Sequence, residues 1–218
     1  NHANIPAVNG MWQLHDLVNL RRKVETYGMK LSALENVPRE FYDQVMLGGP
    51  RRDEQIENMI ETVRNIARAG IPIFGYDWLP SKVWRTPDKL IRGGARATAF
   101  NYEIANEMPL THGRECTEEE MWANLEYWIK AIAPVAEEEG IKIGIHPCDP
   151  PVKQLGGIPM LFNSYDNYRR YLDIVPSDNI GIEFCQGTIS EMFDSEGDAL
   201  YEFIAEMVQK KKVLYVHF

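Results

Sequence analysis

Ile180-Gly181-Ile182-Glu183-Phe184-Cys185 is a short apolar run that closes on a thiol. As a strand it alternates faces, so Ile180, Ile182 and Phe184 share one side while Glu183 and Cys185 share the other. Two further stretches repeat the design: Ile143-Gly144-Ile145-His146-Pro147 upstream and Val213-Leu214-Tyr215-Val216-His217 downstream. His146 lies 39 positions before Cys185, and His217 lies 32 after it. A (β/α)₈ barrel of ~250 residues spends about 31 on each strand-helix unit. The spacing therefore predicts one metal-binding side chain at the end of each of several successive units. In such barrels function collects at the carboxyl ends of the strands, where loops converge on one mouth.

Outward from these strands the apolar period alternates between helical and extended. Asp16 to Tyr27 carries Leu17, Leu20, Val24 and Tyr27 at helical spacing, stopped by Gly28, with a strand over Leu31 to Glu35. Glu54 to Ala69 is a second amphipathic helix, followed by the strand Ile71 to Tyr76. Thr117-Glu118-Glu119-Glu120 is a capping box opening a long helix that ends near Gly140, before the strand Ile141 to His146. Helices over Tyr165 to Val175 and Ala199 to Val208 precede the Cys185 and His217 strands.

Five repeats of helix, short loop and strand describe parallel units with right-handed crossovers. A doubly wound sheet shares this alternation. The barrel is favoured because the ligands fall on consecutive strands and because the long excursions, 38–52, 78–114 and 147–164, all follow strand ends. The expectation is an α/β chain, a single domain over residues 1–218 belonging to a (β/α)₈ TIM barrel. Five strands do not close eight, so the barrel is incomplete in this chain.

The 218 residues are 44% hydrophobic, enough for a full core. No apolar run approaches the ~18 residues of a membrane span. Lys and Arg number 23 against 32 Asp and Glu, a net charge of -9 that repels phosphate backbones and anionic lipid. No nucleic-acid or membrane partner is expected. Cys116, Cys148 and Cys185 form an odd set without framework spacing, which fits a reducing, cytoplasmic setting better than a disulfide-stapled one. Both chain ends look cut, so targeting signals are not judged from them.

Imidazole and thiolate donors suit Zn, Fe(II) or Mn-type ions. Singly, a strand-end histidine reads as a hydrogen-bonded structural residue and a cysteine after phenylalanine as core. On consecutive units, His146, Cys185 and His217 read as a metal site. A buried Glu183 must be paired, either facing the metal or bridged to a lysine or arginine. Glu35 is another strand-end carboxylate, and Asp149 sits in a loop stiffened by Pro147, Pro150 and Pro151. The pairs Gly48-Gly49, Gly93-Gly94 and Gly156-Gly157 lack the strand-to-helix context of a phosphate loop. Lys210-Lys211-Lys212 reads as a solvated turn. His15, His112 and Cys116 are placed on helical or loop surface, and His2 is left open.

These motifs together resemble the mannonate dehydratases, barrels of the xylose isomerase-like kind. The resemblance is carried by Asn9-Gly10 with Trp12, Arg21-Arg22-Lys23, Glu35-Asn36-Val37-Pro38, Tyr76-Asp77-Trp78-Leu79-Pro80 and Trp84-Arg85-Thr86. It continues through His146-Pro147-Cys148-Asp149-Pro150-Pro151, Gly157-Ile158-Pro159, Phe184-Cys185-Gln186-Gly187 and Val216-His217. It implies a chain running from the end of the second barrel strand to the end of the seventh. It also implies Mn(II) or Fe(II) held by His146, Cys185, His217 and an aspartate beyond Phe218.

The substrate implied is a sugar acid, D-mannonate, and the assembly implied is a homo-oligomer; Glu35, Asp77 and Asp149 are the candidate substrate-binding carboxylates. The implied reaction is a dehydration assisted by Lewis-acid stabilisation of an enediolate. No residue is assigned as base or acid. Cys148, Asp77, Glu183 and Ala99 depart from the family's usual residues at or near the mouth. A metal-dependent isomerase or epimerase of a related sugar, and a non-catalytic sugar-binding barrel, are the alternatives.

Overall fold

Strand order decides between the two α/β architectures. In the computed structural model, which describes residues 5–192 and 197–218, five parallel strands pair in chain order. They are β1 (Leu34–Glu35), β2 (Ile73–Tyr76), β3 (Lys142–Ile145), β4 (Ile180–Cys185) and β5 (Val213–His217). A doubly wound sheet reverses its order at a switch point. An unbroken sequential order is instead the wall of a barrel.

Each strand has a helix before it: α1 (Leu14–Glu25), α2 (Arg52–Arg68), α3 (Glu118–Glu139), α4 (Tyr165–Ile174) and α5 (Asp198–Gln209). The capping box at α3 forms as the sequence requires: Thr117 Oγ1 accepts from Glu120 N, and the Glu120 carboxylate accepts from Thr117 N at 2.7 Å. Gly140 closes the same helix at φ 68°, a left-handed geometry in which a side chain is strained. Among the described residues no helix is long and apolar enough to cross a membrane.

The sheet's two faces follow from alternation. Phe74 and Tyr76 of β2 turn outward to the helices and are fully buried there. Tyr76, Trp78 and Tyr42 crowd round the Trp128 ring of α3 at 5.6, 6.2 and 5.5 Å between centroids. Gly75, between Phe74 and Tyr76, faces the lumen. A side-chain carbon there would overlap the Tyr215 hydroxyl and the Glu183 carboxylate.

Several boundaries differ from expectation. β1 keeps only Leu34–Glu35 of the stretch begun at Leu31, because this edge strand has a single partner, β2. β2 starts at Ile73, after Pro72, which has no N–H to give the ladder. The excursions carry small hairpins, Thr86–Leu90 with Arg96–Ala99 and Gln154–Leu155 with Ile158–Pro159. The first of these is largely exposed and has no apolar alternation to announce it.

Cys116 is buried rather than on the surface, tucked in by a backbone bond from its N–H to Gly157 O at 2.8 Å. His15 stays outside, 3.2 Å from Asp16. Lys212 is not a free turn residue: its Nζ donates to Ser177 O and Ile180 O. His2 lies outside the described residues.

Candidate metal centre

The register of β4 on β5 builds the centre. Glu183 pairs with Tyr215 and Cys185 with His217, after a bulge between Ile182 and Glu183. Both pairs therefore project to the lumen side by side. His146, one residue beyond β3, is anchored through its backbone N–H, which donates to Tyr76 O at 2.8 Å. Three successive strand ends thus deliver His146, Cys185 and His217, and their donor atoms all lie within 4.8 Å of one another.

Each donor is oriented by a neighbour. His146 Nδ1 sits 2.7 Å from Pro147 O, which leaves Nε2 for the centre, 3.3 Å from His217 Nδ1. Such a bond to the far nitrogen fixes the tautomer and ring plane of a metal-ligating histidine. Cys185 Sγ lies 3.4 Å from Thr188 Oγ1, at the start of the helix Gln186–Ser190. His146 and Cys185 are buried, and His217, on the edge strand of the sheet, is half-buried.

Electrostatics make the pair mutually charged. Burial by itself disfavours an ionised thiol, yet bonds from His146 and Thr188 outweigh it and draw Cys185 down to about 6. Burial likewise opposes a charged His146, but Cys185 and Glu183 overcome it and raise the imidazole to about 9. Both shifts run in the direction that favours a thiolate beside an imidazolium in the metal-free centre, where a cation would take the place of the proton.

Glu183 is 0% exposed, and no lysine or arginine among the described residues bridges to it. Its contacts are Tyr215 Oη, which donates to Oε2, the nearby Glu35, and His217 Nδ1 at 3.7 Å from Oε1. Burial pushes its carboxyl up to about 8, against the pull of His146. Glu35, His146, Glu183 and His217 form a second group of donors within 4.8 Å of one another.

The other two carboxylates lie apart from this cluster. Asp77 is buried and locked by Arg39 at 3.1 Å, the Tyr42 hydroxyl at 3.2 Å and the Leu79 N–H at 3.2 Å. It borders a cleft of about 570 Å³ with Asn36, Arg39 and Lys82. Asp149 holds Arg85 by two bonds of 2.8 and 3.0 Å. Cys148 turns inward, accepts from Phe162 N at 3.3 Å, and is pushed by burial to about 12, so it presents no nucleophile to the mouth.

Residues not singled out from sequence also contribute: Tyr215, Thr188, Arg39 and Arg85. Tyr215 was within reach, because the alternation that pairs Glu183 with Cys185 also puts Tyr215 on the face of His217.

A parallel barrel wall with imidazole and thiolate donors at successive strand ends defines a class, the parallel α/β barrels with a candidate metal centre in the mouth. Within it the chain belongs to the D-mannonate dehydratase (UxuA) family, whose sequence model matches residues 2–112 and 107–218. It is 29% identical to the mannonate dehydratase of Streptococcus equi subsp. zooepidemicus, over 96% of this chain and 63% of that protein. It is 31% identical to that of Streptococcus pneumoniae, over 88% of this chain and 58% of that protein.

Among solved structures, the mannonate dehydratase from Streptococcus suis serotype 2 superposes with a TM-score of 0.84 at 30% identity, over 98% of this chain and 61% of that one. D-psicose 3-epimerase superposes with a TM-score of 0.61 at 13% identity, over 94% of this chain and 58% of that one, a likeness of fold alone. The chain spans less than two thirds of the length of these relatives.

Proposed function

We propose that the chain carries the metal-binding mouth of a hydro-lyase that removes water from D-mannonate to give 2-dehydro-3-deoxy-D-gluconate. The observation that carries this reading is the convergence of His146, Cys185 and His217 from three successive strand ends within 4.8 Å, in a chain of the D-mannonate dehydratase family. The donor chemistry fits a divalent transition ion, Mn(II) or Fe(II) in this reading. When bound, that ion supplies Lewis-acid polarisation of the substrate carboxylate and its neighbouring hydroxyl, which makes the C2 proton easier to remove.

The protein's own residues do the rest. The Pro147 carbonyl keeps the His146 ring turned to the centre, and Thr188 holds the Cys185 sulfur. Burial of His146, Cys185 and Glu183 keeps water from competing at the inner side. Glu35, Asp77 and Asp149 are the carboxylates proposed to bind substrate. Asp77 and Asp149 act through the arginines they orient, Arg39 and Arg85, whose guanidinium groups suit a sugar acid's carboxylate. One domain, a homo-oligomeric assembly and a cytoplasmic setting complete the reading.

The test is to load the protein with Mn(II) under reducing conditions, supply D-mannonate and follow the 2-keto-3-deoxy product. Product formation supports the dehydratase; stoichiometric metal without product rules it out.

A further inference from the structure

One buried oxygen at the heart of the cluster is unused by the three-donor set. Glu183 is completely buried, its Oε2 is occupied by the Tyr215 hydroxyl, and its Oε1 accepts no hydrogen bond from any described residue. A buried carboxylate oxygen left without a partner is costly, so a native site that keeps one has a use for it. That oxygen points at His217 Nδ1, 3.7 Å away, and His217 Nδ1 is itself 3.3 Å from His146 Nε2. Glu35 supplies a second carboxylate to the same group, with all four donors within 4.8 Å. Two carboxylates this close repel each other unless a proton or a cation lies between them.

The surroundings are cut to hold Glu183 in this pose. Gly75 leaves the space that the Tyr215 hydroxyl and the carboxylate fill, and any side chain there would displace them. Tyr215 is next to Glu183 in register and ties down the oxygen that does not face the histidines. The free oxygen is thus fixed in direction as well as in place.

We propose that Glu183 is itself a ligand of the metal. The ion then draws on two overlapping donor sets, one bearing sulfur (His146, Cys185, His217) and one bearing oxygen (Glu35, Glu183, His146, His217), with both histidines in common. The consequence is selectivity: thiolate favours softer ions and carboxylate favours hard ones such as Mn(II). Glu183 pulls the centre towards Mn(II), and Cys185 pulls it towards Co(II) and Zn(II). This inference rests on the metal centre described above.

The experiment uses the reduced, metal-stripped protein and reads metal binding, not turnover. Mn(II) and Co(II) affinities are measured for the parent, Glu183→Gln, Glu183→Asp and Cys185→Ser, with circular dichroism as the check on folding. Glu183→Gln should weaken Mn(II) by more than about a hundredfold, beyond the usual effect of a residue that only orients a ligand, with smaller loss for Co(II). Glu183→Asp should recover part of the Mn(II) affinity, and Cys185→Ser should weaken Co(II) more than Mn(II).

Mn(II) bound by Glu183→Gln as tightly as by the parent overturns the inference and leaves the three-donor centre standing. Should Glu183→Gln fail to fold, the Mn(II)-to-Co(II) affinity ratio of Glu183→Asp decides: a shift towards Co(II) supports ligation, and an unchanged ratio overturns it. A parent that binds no Mn(II) overturns both this inference and the centre it rests on.

Discussion

The two ends of the same five strands are satisfied in opposite ways. At the amino end, among the described residues, lies a cavity of about 730 Å³ whose lysines and arginine are hydrogen-bonded. There Lys212 caps the carbonyls of Ser177 and Ile180, Asn179 bridges Ala136 O and Ile141 O, and Arg169 and Lys210 both clamp Glu206. At the carboxyl end the groups are buried yet left over: two imidazoles face each other, a thiol is drawn to its anion, and Glu183 Oε1 has no hydrogen bond. The cations of the base are partnered, and the leftover groups at the other end mark the chemistry.

The contrast breaks first at the ligands. His146→Ala or Cys185→Ser should lower affinity for a softer ion such as Co(II) by more than about a hundredfold, beyond the usual effect of a residue that only orients a ligand. Metal analysis after gel filtration checks it, and unchanged content would return Cys185 to the core. Next is a residue that supports the wall without touching the centre. Trp128→Ala, at 0% exposure, should cost about 3–5 kcal/mol in urea unfolding while leaving metal stoichiometry intact.

A smaller effect separates the ends by pH. In the metal-free protein His146 titrates near 9, raised from its ordinary value, and Cys185 near 6, lowered from its own. Between these values binding must expel the His146 proton, and below about 8 the proton of the proposed ligand Glu183 as well, so metal affinity should rise about tenfold per pH unit from pH 8 to 9 and more steeply from 6 to 8. Below 6 the thiolate is protonated too, and affinity should fall more steeply still. The same shifts set the metal-free fold's pH dependence. The His146 contribution is full below the unfolded imidazole's value and lost as pH rises through about 9. The Cys185 contribution is lost as pH falls through about 6. A pH-independent metal affinity would contradict the imidazolium-thiolate pair.

The smallest effect belongs to the amino end. Glu206→Gln removes the carboxylate shared by Arg169 and Lys210, a partly exposed pair, and should change stability by less than about 1 kcal/mol. Metal binding should not change. A loss of metal on this substitution would show that the two ends are coupled.

What the chain's order of residues makes legible is tied to period. β4 and β5 are readable residue for residue, because each is an apolar run ended by a donor, and so is the Thr117 capping box. From those, strand-end convergence places His146, Cys185 and His217 together without any structure. The partners of Glu183 are not readable in this way, since they depend on the β4–β5 register and the bulge after Ile182, which set Tyr215 opposite it. Nor does sequence show that Asp77 is tied up by Arg39 and Tyr42, contacts spanning 38 and 35 positions through a loop. Cys116 shows the same limit: only the fold of the 147–164 loop over it makes it buried.

The central claim is that a thiolate and two imidazoles from successive strand ends hold one divalent ion. Co(II) titration of the reduced, metal-stripped protein tests it most directly, because a cobalt-thiolate bond has its own charge-transfer absorption. The account predicts that this absorption saturates at one Co(II) per chain and is absent in Cys185→Ser. Saturation without the absorption, or an absorption that survives in Cys185→Ser, would contradict it.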